Sequence, residues 1–189
     1  HGFYNDHHFH HGYHVYAAAT VAKYDADWGR RYFEPVLTLI RDVANPSSKD
    51  KHFPMFRNKD WFLGSSWASG IGLINGSPYP NGRNQESSSE AIAAYEAMAL
   101  YGDTMYGQWG GGKSVATKDN ANAQTAASVR DMSRLLLSTE LRSADRYWHV
   151  RKKKNRIYPK EYTPAVVGML WSMMAQFQTW FGSDPFLAY

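Results

Sequence analysis

The chain has 189 residues, 43% of them hydrophobic, with no cysteine and a net charge of +4; that is enough for a globular domain with a real core. The missing cysteines exclude disulfides and thiolate metal sites, and no apolar run approaches the ~20 residues of a membrane span. Five cations stand together in Arg151-Lys152-Lys153-Lys154-Asn155-Arg156, which reads as a solvated loop, so neither nucleic acid nor a membrane is expected as a partner.

Five helices are predicted from apolar periodicity. The first runs from about Tyr13 to Tyr24, with Val15, Ala18, Ala19 and Ala22 on one stripe. The second runs from about Phe33 to Ala44 on Val36, Leu37, Ile40 and Val43, with Pro35 in its first turn and Pro46 just past its end. The third covers about Glu86 to Tyr101, and Gly102 is placed to end it. The fourth covers about Ala126 to Trp148. The fifth covers about Pro164 to Phe181, on Val167, Leu170, Met174, Phe177 and Phe181, and ends at Gly182. Between the second and third lies an irregular stretch, Asn45 to Arg83, rich in Gly, Ser, Pro and Trp; such stretches carry function when held on a rigid scaffold. Gly107 to Gly112 reads as a surface loop. Strand-like alternation is scarce, so the expected class is all-α. The chain opens at His1 directly into a dense polar stretch with no signal peptide, as a fragment of a longer protein would.

Glu86 and Glu90 stand four residues apart in Asn84-Gln85-Glu86-Ser87-Ser88-Ser89-Glu90-Ala91. On a helix they would share one face, and no Lys or Arg lies between Arg83 and Lys113 to offset them. Ala93, Ala94 and Ala97 follow on the same side, small enough to admit a close neighbour. Acids in a helical first turn also arise for structural reasons, since they favour the helix dipole. In Tyr4-Asn5-Asp6-His7-His8-Phe9-His10-His11-Gly12-Tyr13-His14, two readings stay open. His7, His10, His11 or His14 with Asp6 form a metal site, or Asp6 is a desolvated general acid; a solvated Asp at a helix start fits equally well. In Phe56 to Gly70, Trp61 and Trp67 either stack on a sugar or anchor the loop. Tyr and Trp number 13 and 7, a balance suited to sugar faces. Asp6 with Glu86 or Glu90 supplies the paired carboxylates that glycoside hydrolysis uses.

Three stretches together resemble glycoside hydrolase family 81, the endo-β-1,3-glucanases: Tyr4 to His10, Ser66-Trp67-Ala68-Ser69-Gly70, and Asn84 to Ala91. Tyr158-Pro159, Val166 to Trp171 and Thr179-Trp180-Phe181-Gly182 are similar to the later part of that family. The resemblance implies a partial catalytic domain over residues 1–189, part of an (α/α)6 toroid of helix hairpins around a cleft, lacking the rest of the toroid and the β-sandwich that precedes it. It implies inverting hydrolysis of β-1,3-glucans such as laminarin, callose or wall glucan, by a secreted or cell-wall-associated enzyme without metal or cofactor. Asp6 maps to the general acid, Glu90 to the general base and Glu86 to a group that positions water or tunes Glu90. Tyr4, His10, His14, Asp60, Trp61 and Trp67 are assigned to glucan binding. Two positions depart from the family pattern: Ser65 stands where His is usual, and His11 where Tyr is usual. A glucan-binding module without catalysis and a histidine-metal hydrolase are the competing readings.

Overall fold

A computed structural model describes residues 4–69, 73–74, 76–78, 80–110, 117–151 and 157–178. The chain forms two units, one gathering His1–Asp6, Asn58–Ser89 and Thr139–Tyr189, the other His7–Arg57 and Glu90–Ser138. The described secondary structure is mainly helical: α1 His7–Tyr24, α2 Ala26–Arg31, α3 Phe33–Ala44, α4 Ser88–Gln108 and α5 Thr117–Ser143, with a π-helical turn over Ala144–Trp148. The strands are short: β1 Leu73–Ile74, β2 Ser77–Pro78, β3 Asn84–Gln85, β4 Met169–Trp171 and β5 Ala175–Gln176.

In the larger unit, α3 falls where its periodicity puts it. Val36, Leu37, Ile40 and Val43 recur at three and four residues and are buried on one stripe. Asp25 caps α2, its side chain accepting from the Trp28 N–H at 2.9 Å. α1 begins six residues before its expected start, and His8, Gly12, Val15, Ala19 and Ala22 turn inward along it. α4 runs seven residues past Tyr101, through Gly102. Gly102 is a close-approach site and not a terminus: a Cβ there would come within 2.5 Å of the Arg130 backbone nitrogen on α5. Tyr95, Met98, Tyr101 and Met105 are fully buried along α4, and Phe33 of α3 stacks on Tyr101 with ring centroids 6.3 Å apart.

The smaller unit corrects two expectations. Glu86 is not helical. Asn84–Gln85 is extended as β3 and pairs antiparallel with β4, Asn84 opposite Trp171 and Gln85 opposite Leu170. The Gln85 side-chain carbonyl accepts from Ser87 N at 3.1 Å; Glu86 lies between β3 and the helix, and α4 starts at Ser88. The two glutamates therefore share no helix face. The described part of the fifth expected helix, up to residue 178, is likewise not a helix. Val150 N donates to Ala165 O and Val167 N to Trp148 O, pulling β-branched Val166-Val167 into extended pairing. β4 and β5 then form a hairpin, Met169 opposite Gln176. A short apolar run fits either period, and here backbone pairing decides it. Thr179 to Gly182, Lys152 to Arg156, Gly111-Gly112 and Gly70 lie outside the described residues. The fourth expected helix also differs at its ends: α5 starts at Thr117 and gives way at Ser143 to the π turn.

Candidate active site

The smaller unit contains Tyr4, Asp6, Asp60, Trp61, Trp67 and Glu86. Tyr4 and Asp6 both hold φ at 59°, a left-handed backbone that non-glycine residues seldom adopt. Tertiary bonds enforce it: Asn5 bridges to Ser69, and Asp6 N donates to Ala68 O at 2.8 Å. The half-buried Asp6 carboxylate accepts from the Asn5 side-chain amide at 3.0 Å. On its other edge, the same Ala68 donates its N–H to Asn84 O at 2.7 Å. The segment Ser66 to Ala68 is thus a rail, with Asp6 bonded to one side and the residues leading into Glu86 bonded to the other.

Asp60 and Trp67 organise this rail. One Asp60 oxygen accepts from Phe62 N and Leu63 N, both at 2.9 Å, an Asx-type turn. The other accepts from Trp67 Nε1 at 3.2 Å. Trp67 is only 5% exposed and pins the loop, while Trp61 is 48% exposed and turns part of its ring to solvent. Ser65, at the first departure position, is fully buried.

The larger unit contains His10, His14 and Glu90. Gly12 of α1 lies against Ala94 of α4 so closely that a Cβ on Gly12 would meet the Ala94 Cβ at 2.5 Å. That approach, anticipated from the small residues after Glu90, lets the Tyr13 hydroxyl donate to Glu90 Oε1 at 2.7 Å. This bond pushes the Tyr13 hydroxyl above its usual pKa. Glu90 occupies the first turn of α4, where a carboxylate is favoured by the helix dipole. His14 Nδ1 lies 2.8 Å from His10 O, one turn back.

The histidines nearest a metal geometry are others. His7 and His11 of α1 meet Asp42 of α3, with donor atoms within 4.8 Å of one another. His7 Nδ1 stands 2.6 Å from Asp42 Oδ2, a hydrogen-bond distance, shorter than the ~3.4 Å between tetrahedral ligands at about 2.1 Å from one ion. Arg57 donates to the other Asp42 oxygen at 2.9 Å and to the Asp42 carbonyl at 3.1 Å. The donor set is that of a charged hydrogen-bond network already supplied with a cation. His11, at the second departure position, is half-buried against Leu39 O and Asp42. Burial lowers its pKa below the ordinary 6.5, against the pull of Asp42.

Sequence reasoning missed Tyr13, Gln85, Asp42, Arg57, Lys59 and Glu140. Tyr13 and Gln85 lie inside the quoted motifs, which was their only signal. Asp42 and Glu140 look like solvated helix acids, and only the tertiary fold buries them.

Comparison with known proteins gives the family of the chain. The glycosyl hydrolase family 81 C-terminal domain model matches residues 1–110, and the chain belongs to that family. A glucan endo-1,3-β-D-glucosidase of Thermobifida fusca is 33% identical over 183 residues, covering 96% of this chain and 21% of that protein. The primary septum glucan endo-1,3-β-D-glucosidase of Schizosaccharomyces pombe is 43% identical over 106 residues, 54% of this chain and 10% of that one. The solved family 81 glycoside hydrolase from Clostridium thermocellum superposes with a TM-score of 0.74 at 32% identity, covering 93% of this chain and 21% of that structure. The chain spans about a fifth of the length of the Thermobifida and Clostridium proteins.

Proposed function

We propose that the chain carries the acid–base residues of an endo-β-1,3-glucanase that inverts the anomeric centre. Asp6, protonated, gives its proton to the glycosidic oxygen as the C1–O bond breaks. Glu90 takes a proton from the water that attacks C1 from the opposite face, and Glu86 orients that water. The observation that carries the reading is the left-handed backbone at Asp6. Such a conformation costs on the order of 1 kcal/mol or more, and it concentrates where a side chain must point in one direction. The Tyr13 bond to Glu90 supports it by fixing the base.

Exposed Trp61, Tyr4 and His14 contact the glucan, as does His10, while Asp60 and Trp67 contribute by shaping the loop. Residues 1–189 belong to a helical toroid built around the substrate cleft, in an enzyme acting at or outside the cell wall on β-1,3-glucan. No metal or cofactor takes part.

The test is laminarin digestion by the protein carrying this chain, followed by NMR of the first-formed anomer. Asp6→Asn and Glu90→Gln are each expected to lower kcat by ~100-fold or more with the fold retained. Near-normal hydrolysis by either variant removes that residue from its role. Retention of configuration overturns the mechanism, and binding of laminarin without reducing-end release identifies a recognition module instead.

A further inference from the structure

We infer that Glu140, acting through Ser66, is a positioning residue that sets Asp6 and Glu86 together; this rests on the catalytic reading of those two acids. Glu140 comes from the end of α5 and pairs with Lys59 at 3.2 Å, each side chain 1% exposed. A buried ion pair is a poor source of stability, since desolvation offsets the attraction. What distinguishes this pair is where its remaining bonds go. Lys59 Nζ donates to Gly64 O at 2.6 Å, and Lys59 and Ser66 bridge as antiparallel neighbours. Glu140 Oε1 accepts from Ser66 N at 3.2 Å and from Ser66 Oγ at 3.3 Å.

Ser66 begins the rail to which both acids are tied. Gln85, fully buried, donates its amide to Ser66 O at 2.7 Å and to Ser66 Oγ at 3.1 Å. Its carbonyl accepts from Ser87 N, so a single side chain brackets Glu86. Two residues along the rail, Ala68 holds Asp6 through its carbonyl and Asn84 through its N–H. Displacing Ser66 therefore moves the acid and the water-orienting carboxylate at once. The effect falls on the geometry of reaction and on kcat, and leaves the exposed sugar contacts and KM alone.

The experiment compares two double variants in the protein that carries this chain. K59M/E140Q removes both charges and keeps an acceptor for Ser66. K59M/E140L removes both charges and the acceptor. K59M/E140L also leaves the buried Ser66 N–H without its acceptor and is expected to melt below K59M/E140Q, so kcat is compared at a temperature where both are folded. K59M/E140Q is expected to keep kcat within ~5-fold of the parent, and K59M/E140L to lose ~100-fold with KM little changed, the scale of a misplacement of about 1 Å. Equal kcat in the two variants overturns the inference. Ser66→Ala breaks the hydroxyl link without touching the ion pair, and so tests the role even if K59M/E140L does not fold. It is expected to lower kcat ~10-fold at constant KM, and a parental kcat would count against the role. Asp6→Asn is measured in parallel. If it is active, the catalytic reading itself fails. If it is inactive while the two double variants agree, only the positioning role fails.

Discussion

Tyr13 holds Glu90, the base of the proposed reaction, through a single hydroxyl. Its bond fixes one Glu90 oxygen in a setting open to solvent, where hydrogen bonds to charged groups contribute modestly. Tyr13→Phe should lower kcat by about tenfold on laminarin and leave the melting temperature within a degree or two. A kcat at the parental level would show that Glu90 is oriented by other contacts. His11 makes a different kind of statement. Burial depresses its pKa, so the native state holds this proton less tightly than the unfolded chain, and unfolding takes up a proton below the ordinary value of 6.5. Its contribution is intact above that pH and is lost as pH falls through and below it. Between about pH 7 and pH 5 the melting temperature should drop less in His11→Gln than in the parent. An identical drop in both would place the titrating group elsewhere. These pairings are invisible in the sequence, because His7 and His11 stand among six other histidines and nothing in a linear reading links them to an aspartate on another helix.

Elements are legible in proportion to their amphipathicity. α3 carries its apolar stripe on a clean 3.6-residue period between Pro35 and Pro46, and its bounds follow from that alone. The helical expectation at Glu86 fails because polar residues between Arg83 and Ala91 have no period at all, and the decision between strand and helix there is made by pairing with β4, more than eighty residues away. The expectation at Gly102 fails for a related reason: a glycine that ends a helix and one that admits a neighbour look alike in one dimension. Gly102→Ala is expected to destabilise by roughly 1–3 kcal/mol through overpacking against α5. Chemical denaturation measures this directly, and an unchanged midpoint would show that α4 and α5 part easily. The site motifs themselves are fully legible as short strings. Their roles in the local scaffold, such as Trp67 turned inward onto Asp60, are not.

The described residues form two cores of unequal size. The larger unit buries Val15, Leu37, Tyr95, Met98, Tyr101 and Leu136 in one cluster, and the smaller centres on Trp148, Val150, Val167 and Leu170. Local stability follows buried apolar contact. Hydrogen exchange should therefore show the α4 amides protected far longer than those of the β3–β4–β5 sheet, and equal protection would mean that the two units open as one. The acids divide between these settings, Asp6 and Glu86 on the thinner unit and Glu90 on the thicker. The left-handed Asp6 carries a last consequence. Asparagine enters that backbone region as readily as aspartate, so Asp6→Asn should be as stable as the parent. Under the proposed reaction, a population selected for heat tolerance alone has no reason to keep aspartate there, and drift at this position would remove the acid without leaving any trace in the melting curve.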